Sequence, residues 1–292
     1  MIHVLALLGV LSISFSAIFV RLASVSPVTA TFFRAAYAVP VLLLVWVLVR
    51  RGDRRSMRER AIAAAGGVIL AVDLAVWHES IRLIGAGLGT VIANVQVVYV
   101  ALAAWLLYGE RPTGRTTLLV TAVLAGLAMT SGLARRDAYG SHPVAGVVLG
   151  VLSGACYAAF LLVFRAANQS LAPTAGPLLD CTLGAVAGAL ACAVFDPRFT
   201  LVPAWPAHLW LVLLALVSQV VGWLLIATAL PRLPALETSI LLLGQPVFAV
   251  IWGVLLFSER LSPLQWAGTC IVLGGVAGLS SGRAVMQSPT RR

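Results

Sequence analysis

The chain has 292 residues, of which 61% are apolar and only 10% are charged, whereas soluble domains contain roughly 25% charged residues. So few charges could not cover the surface of a soluble protein of this size, and the composition therefore excludes an ordinary soluble enzyme or binding module. The formal net charge is +10, and all twenty basic residues are arginine. Because long apolar segments suit a bilayer, we expect these arginines in short loops between membrane spans rather than on a nucleic-acid-binding surface.

Ten apolar runs of 19 to 25 residues follow one another along the chain, and each is long enough to cross a hydrocarbon core of about 30 Å. They show no period-two alternation, so they are predicted to be helices, which satisfy their backbone hydrogen bonds internally. The first run has no basic residue before Arg21 and is interpreted as a mature span rather than a signal peptide. The predicted spans are 4–22, 28–49, 62–81, 86–108, 115–133, 144–164, 175–195, 208–229, 233–257 and 264–282.

The distribution of arginine predicts the orientation of the chain. With the N-terminus inside, thirteen arginines fall on the inner side and six on the outer side, and six of the thirteen lie in segment 50–60. Since cytoplasmic loops carry the excess of basic residues, both termini are expected in the cytoplasm. The lack of lysine and the abundance of Ala, Gly, Val and Leu are typical of a GC-rich bacterial genome, so the expected location is the bacterial inner membrane.

An internal repeat relates the two halves of the chain. A shift of 149 residues places Gln96 on Gln245 and Glu110 on Glu259. The repeat predicts two domains of five spans each, 1–134 and 144–282, followed by a short cytoplasmic tail, 283–292. Because five is odd, the second copy enters the membrane from the opposite face, as in many secondary transporters. The predicted fold class is thus an all-α integral membrane protein with ten transmembrane helices in two inverted five-helix repeats.

Charged side chains inside spans are candidates for function, because a charge in hydrocarbon is costly unless it is paired or hydrated. Asp73 lies near the middle of the third span and could carry a proton, since hydrocarbon favours the neutral carboxyl; Glu237 in the ninth span is a second candidate. Arg34 and Glu79 lie in the outer thirds of spans two and three and could form an ion pair with a gating or structural role. His78 could titrate near neutral pH.

Two glutamines related by the repeat, Gln96 and Gln245, lie near the midpoints of their spans. They could face one substrate cavity, or they could hold packed spans together. Pro246 removes a helical hydrogen bond and predicts a kink next to Gln245. Asp180 could form a structural pair with Arg165. Further candidates for a substrate pocket are aromatic or polar residues away from the span ends, namely Trp77, His78, Asn94, Tyr99, Tyr157, Gln219 and Trp223.

Several kinds of catalytic or cofactor motif are missing from the sequence. It contains no Gly-x-Ser-x-Gly element, no phosphate-binding loop and no pair of histidines at metal-ligand spacing. The four cysteines are scattered through apolar stretches and are interpreted as small buried side chains. We therefore expect no enzymatic activity, no cofactor, no bound metal and no ATP-driven step.

Short segments in both halves resemble the EamA type of the drug/metabolite transporter superfamily. They are the run at 14–23 (SFSAIFVRLA), Phe33-Arg34-Ala35, and the related segments at 107–111 (LYGER) and 256–260 (LFSER). The resemblance covers nearly the whole chain and implies a ten-helix transporter with a cavity between the repeats, often exporting amino acids or related metabolites. Two residues depart from the family pattern: Val97 stands where a proline is usual, and Glu237 stands where a small apolar residue is usual.

The sequence therefore favours a secondary transporter that exports a small metabolite, such as an amino acid, by alternating access. The expected partners are a small-molecule substrate, the lipid bilayer and, in a coupled mechanism, protons, but no nucleic acid. One alternative is a flippase-like carrier of lipid-linked or nucleotide-linked sugars. Another is a non-transporting scaffold or sensor whose segment 50–60 docks a partner or anionic lipid.

Overall fold

The computed structural model describes residues 2–84, 92–109, 111–130, 142–168, 173–257, 262–280 and 286–287. Nearly all of them are helical, which confirms the predicted all-α class. A π-helical segment, Leu214–Gly222, lies between the helices Trp205–Leu213 and Trp223–Ala229, and a two-residue antiparallel pairing joins β1 (Arg111–Pro112) to β2 (Met286–Gln287). The helices are α1 (Ile2–Ser14), α2 (Ser16–Ala23), α3 (Pro27–Val49), α4 (Met57–Ile84), α5 (Gln96–Tyr108), α6 (Gly114–Thr130), α7 (Pro143–Ala167), α8 (Ala175–Ala193), α9 (Trp205–Leu213), α10 (Trp223–Ala229), α11 (Ala235–Leu242), α12 (Gly244–Phe257) and α13 (Pro263–Ser280).

Seven helices among the described residues are long and apolar enough to cross a membrane. Two shorter apolar helices, Gln96–Leu107 and Thr117–Met129, lie in the fourth and fifth predicted spans, and α13 overlaps the tenth. The chain is thus a multi-pass membrane protein, while the count of ten spans stays a prediction. The seven long helices are Ile2–Ala23, Pro27–Gly52, Met57–Ile81, Val144–Ala167, Ala175–Ala193, Trp205–Arg232 and Glu237–Leu256.

Side chains at several helix starts explain why the apolar runs begin where they do. Ser26 caps α3 by accepting a backbone hydrogen bond at 3.2 Å. In front of α4, the Ser56 N–H donates to Glu59 Oε2 at 2.7 Å and Ser56 Oγ accepts from the Glu59 N–H at 3.3 Å. Ser262 and Gln265 form the same reciprocal pair in front of α13. Such capping boxes satisfy backbone N–H groups that have no partner inside the helix.

The described helices form two compact units, and each unit contains segments from both halves of the sequence. Unit 1 consists of Met1–Ala75 and Ala159–Arg232, and unit 2 consists of Val76–Ala158 and Leu233–Arg292. The predicted domains, 1–134 and 144–282, divide the chain by sequence repeat, whereas the compact units divide it by contact. Helices α4 and α7 each contribute residues to both units.

In unit 1, α3 packs along α8 in the opposite direction. Thr29, near the start of α3, accepts a hydrogen bond at 3.1 Å from the N–H of Thr200, which follows α8. Gly52, after the end of α3, lies within ordinary contact distance of Pro173, which precedes α8. The 149-residue shift places α3 on 176–198, close to α8 itself. Two helices related by the repeat therefore pack antiparallel.

Glycine also lets α8 approach α4 closely within unit 1. A Cβ atom on Gly67 would meet the carbonyl oxygen of Cys181, and one on Gly184 would meet the carbonyl oxygen of Ala64. Backbone is thus packed against backbone at this crossing, as in other membrane helix pairs with small residues at the interface.

In unit 2, α6 packs along α13, again in the opposite direction. A Cβ atom on Gly126 would lie 2.9 Å from the carbonyl oxygen of Gly268, whereas one on Gly275 would meet the side chain of Val123. The 149-residue shift places α6 on 263–279, within α13. Unit 2 thus repeats the arrangement seen in unit 1.

Candidate functional site

A break in the helical hydrogen bonding precedes α5 in unit 2. Residues 92 and 93 are helical, 94 and 95 form a turn, and α5 begins at Gln96. The N–H of Val97 donates to the carbonyl of Asn94 at 3.3 Å, and the N–H of Val98 donates to the carbonyl of Val95 at 2.8 Å. Both bonds connect residues three apart instead of four, so the backbone winds more tightly at this point than in an α-helix.

A second break separates α11 from α12 at Leu243, also in unit 2. The Leu243 N–H donates to the carbonyl of Ile240 at 3.0 Å, three residues back, and Pro246 is the third residue of α12. Pro246 has no N–H, and the first turn of a helix tolerates this absence. The structure thus has a turn at Leu243, two residues before Gln245, and the kink at Pro246 itself stays a prediction. Leu243 and Asn94 differ by 149 residues, so the two breaks occupy corresponding positions in the repeat.

Gln96 joins the two broken segments. Its side chain is 1% exposed, and its Oε1 accepts a hydrogen bond at 2.9 Å from Ser239 Oγ in the middle of α11. Its Nε2 is buried and has no hydrogen-bond partner among the described residues. Helix α7 packs closely behind this turn, because a Cβ atom on Gly154 would lie 2.8 Å from the Ala93 carbonyl oxygen. The packing thus fixes the Gln96 amide in place and leaves both N–H donors of its Nε2 without a partner among the described residues.

Most of the other predicted site residues also belong to unit 2. Glu237 is buried in the first turn of α11. Trp77 lies against His78, with ring centroids 4.9 Å apart, and the Trp77 indole N–H is buried without a hydrogen-bond partner in the described part of the chain. The following predicted residues of unit 2 are half-buried: Trp77, His78, Glu79, Asn94, Tyr99, Tyr157, Gln245 and Pro246.

Unit 1 contains the remaining residues predicted for the site or its pocket, Arg34, Asp73, Gln219 and Trp223. Arg34 Nε donates to Gln219 Oε1 at 2.8 Å, and Gln219 Nε2 donates to Thr182 Oγ1 at 3.2 Å. Gln219 lies in the π-helical segment, a type of irregularity that is frequent at functional sites. The predicted pair between Arg34 in unit 1 and Glu79 in unit 2 stays a prediction. Asp73 is 5% exposed and Trp223 is 3% exposed.

The side chain of Trp223 packs in an aromatic cluster of unit 1. Its ring meets those of Phe160 and Phe164 edge-on, at centroid distances of 5.1 and 6.0 Å. The indole N–H is buried and has no hydrogen-bond partner among the described residues. These two aromatic contacts support a packing role for Trp223. Its predicted role in substrate binding stays a prediction.

A charged network in unit 1 corrects the prediction for Asp180. Its carboxylate contacts Arg55 at 2.8 Å and Arg60 at 3.4 Å, whereas Arg165 Nη1 donates to the Leu230 carbonyl at 3.3 Å. The sequence predicted a partner on the preceding helix, α7, and did not indicate that segment 50–60 contacts α8. Arg55 is held in turn by Asp53, at 2.9 Å.

The Asp53 carboxylate accepts hydrogen bonds from two side chains of this network, Trp46 and Arg55. It accepts a hydrogen bond at 2.7 Å from the Trp46 indole N–H, and the hydrogen bond from the Arg55 guanidinium is the main cause that lowers its pKa to about 2. Arg60 lies over the Trp46 ring at 5.6 Å from the centroid. The cluster therefore ties the end of α3 and the start of α4 to α8.

Sequence reasoning missed Ser239 and Thr182, which bond to the two buried amides. The only sequence signal for them is a hydroxyl inside an apolar span, which is too common to select a site.

Among the described residues no group of three His, Cys, Asp or Glu side chains could hold a metal ion.

Comparison with known proteins identifies the family. Residues 1–132 and 144–281 match the EamA-like transporter family. The chain belongs to this family. The resemblance of the segments at 14–23, 107–111 and 256–260 to the drug/metabolite transporter superfamily is thereby confirmed. The name of the matched family indicates a transporter rather than an enzyme.

Two curated relatives of this EamA-like protein come from the bacteria Pseudomonas aeruginosa and Bacillus subtilis. An uncharacterized protein of Pseudomonas aeruginosa is 30% identical over 212 residues, covering 73% of this chain and 71% of the relative. An uncharacterized transporter of Bacillus subtilis is 25% identical over 246 residues, covering 82% and 79% of the two chains. A solved crystal structure with 18% identity covers 96% of both chains with a TM-score of 0.78, and it supports the fold alone.

Proposed function

We propose that this chain is a secondary transporter that exports a small polar metabolite, such as an amino acid or a related compound, across the bacterial inner membrane by alternating access. Its family and the printed name of the Bacillus subtilis relative support the general class of membrane transporter. The substrate, the direction and the mechanism are the parts that we propose.

The pair of helix breaks at corresponding positions of the repeat carries this proposal. In secondary transporters, interrupted helices in equivalent positions of two repeats frequently form the substrate site near the bilayer midplane. Here the break at Asn94 and the break at Leu243 are both in unit 2, and the Gln96–Ser239 hydrogen bond connects their segments. Non-helical backbone within the hydrocarbon region is stable only where it is buried in protein or lines a water-filled cavity.

Antiparallel packing of repeat-related helices supports the inverted repeat that alternating access requires. A repeat inserted in the same orientation would place equivalent helices parallel, and a repeat inserted in the opposite orientation reverses one of them. The pairs α3 with α8 and α6 with α13 both run in opposite directions. This agrees with two copies that enter the membrane from opposite faces.

The polar groups at the breaks suit a zwitterionic or amide-bearing substrate. The Gln96 amide has a buried donor without a partner in the described residues, and such a donor can bind a carboxylate or carbonyl oxygen. Asn94, Tyr99 and Tyr157 in the same unit are half-buried and offer further hydrogen-bonding groups. Asp73 in unit 1 remains the candidate for proton coupling, with Glu237 as the second candidate.

Counterflow in proteoliposomes tests this proposal. Purified full-length protein is reconstituted in liposomes loaded with one unlabelled amino acid at a time, and uptake of the same radiolabelled compound is measured against protein-free liposomes. Saturable counterflow of at least one amino acid is the expected result. Counterflow of nucleotide-linked sugars alone would favour the flippase-like alternative, and no counterflow with any compound would favour a scaffold.

Thiol labelling tests the proposed orientation. With both termini in the cytoplasm, a Gly52→Cys variant places an exposed thiol on the inner side. A membrane-impermeant maleimide added to intact cells should then leave this residue unlabelled, and the same reagent added to inverted vesicles should label it. The comparison is made in a background without Cys270, which is the exposed native cysteine of the described residues. Labelling from outside would overturn the orientation.

A further inference from the structure

Four arginines between the end of α3 and the first turn of α4 have exposed side chains. They are Arg50, Arg51, Arg54 and Arg58, hereafter called the interfacial arginine cluster. None of the four makes a hydrogen bond or an ion pair through its side chain with any described residue. Their charge is therefore available to a ligand outside the chain.

The position of the cluster along the chain sets its depth in the membrane. On α3, Leu44 is 62% exposed and Leu48 is 76% exposed, as expected for side chains that face lipid tails. The arginines begin two residues after Leu48, and Met57, at the start of α4, is again 77% exposed. Exposed leucines thus precede the cluster and an exposed methionine lies next to Arg58, which indicates that the guanidinium groups lie at the level of the lipid headgroups.

The two carboxylates of segment 50–60 do not neutralise the cluster, because both have other partners. Asp53 is held by Trp46 and Arg55, and Glu59 accepts from the Ser56 backbone and hydroxyl. The third nearby carboxylate, Asp180, contacts Arg55 and Arg60. The same contacts hold the backbone of the segment against α8, so the four exposed arginines extend from a fixed support.

We propose that the interfacial arginine cluster is a binding surface for the phosphate headgroups of anionic lipids. Guanidinium groups bind phosphate oxygens through paired, charge-assisted hydrogen bonds, and basic residues next to a membrane span attract anionic lipid. A protein or nucleic-acid partner is less consistent with the exposed leucines that precede the cluster and with the exposed methionine between Arg54 and Arg58. The inference is independent of which substrate, if any, the chain transports.

Native mass spectrometry of the full-length protein in a neutral detergent tests the proposal. Phosphatidylglycerol and phosphatidylcholine with identical acyl chains are added at equal concentrations, and bound lipids are counted. The expected result is preferential binding of phosphatidylglycerol that weakens as ionic strength rises. In a variant with all four cluster arginines changed to glutamine, the apparent Kd for phosphatidylglycerol should rise by about tenfold or more.

A control variant removes the same amount of charge elsewhere. It carries glutamine at four other exposed arginines, namely Arg21, Arg115, Arg198 and Arg232, and it should keep most of the preference for phosphatidylglycerol. A lysine version of the cluster should bind more weakly than wild type but more tightly than the glutamine version, since it keeps the charge without the paired donors.

Two results would overturn the proposal. One is equal binding of both lipids by the wild type, and the other is a glutamine cluster variant that binds phosphatidylglycerol as tightly as the wild type. The latter result would be expected if the cluster docks a protein or nucleic acid instead. Because the four side chains make no hydrogen bond or ion pair with the described residues, the glutamine cluster variant should fold. If it does not, the single variants Arg51→Gln and Arg54→Gln are measured in its place. Unchanged phosphatidylglycerol binding in both single variants would count against the proposal.

Discussion

Replacement of Gln96 by leucine should separate stability from transport. A buried amide N–H without a partner destabilises the folded state by about 1–3 kcal/mol, and the hydrogen bond from Ser239 returns about 0.5–1.5 kcal/mol. Leucine has a similar volume and no polar atoms, and the Ser239 hydroxyl can bond to a backbone carbonyl of its own helix instead. A Gln96→Leu variant should therefore unfold at the same temperature as the wild type or at a higher one.

Transport by the same variant should fall. The loss of one hydrogen bond to substrate, worth about 1.4 kcal/mol, corresponds to about tenfold in affinity, so the KM for counterflow should rise by about that factor or transport should become undetectable. Both properties are measured on one preparation, by thermal unfolding in detergent and by counterflow in liposomes. The control is Gln265→Leu, the same chemical change in the capping box of α13, which should leave transport intact.

The reasoning would be refuted by a Gln96→Leu protein with unchanged counterflow kinetics, because the amide would then be a packing group. It would be equally refuted by a large loss of stability, which would show that the buried donor has a structural partner. The repeat makes Gln245→Leu the companion experiment, and we expect reduced transport there as well.

Three further predictions concern stability and coupling. Gly67→Ala should lower the unfolding temperature because its methyl group meets the facing backbone of α8, at about 1–3 kcal/mol for overpacking, whereas the neighbouring Gly66→Ala, with ordinary contacts, should be neutral or stabilising by up to about 1 kcal/mol. The pKa of Asp53 is lowered from 3.8 to about 2, chiefly by its hydrogen bond with Arg55. The Asp53 carboxylate therefore stabilises the folded state above pH 4, and this contribution is lost as the pH falls through 2. The difference in unfolding free energy between the wild type and Asp53→Asn should shrink by about 2 kcal/mol over this range. Asp73→Asn should keep substrate exchange at equal pH but lose accumulation driven by a pH gradient, and normal accumulation would assign the proton to another group.

The candidate site was only partly predictable from the sequence. Pro246 predicts the break before α12, because a proline removes a hydrogen bond inside a continuous helix but none in the first turn of a new one. The corresponding break at Asn94 has no such local cause, since Val97 takes the place of the proline in the first half. That break depends on packing, with Gly154 of α7 allowing the close approach of the Ala93 carbonyl.

The long apolar spans and the repeat follow from sequence, because a bilayer imposes one requirement on every spanning segment regardless of its neighbours. The composition alone therefore predicts a multi-pass helical protein, and the 149-residue spacing of Gln96 and Gln245 predicts related halves. Partners across the fold do not follow in this way. Asp180 meets Arg55 rather than the nearer Arg165, and Gln96 bonds to Ser239, because a side chain pairs with whatever group the packed helices place within about 3 Å. Distance along the chain carries no information about that placement, and only the tertiary structure decides it.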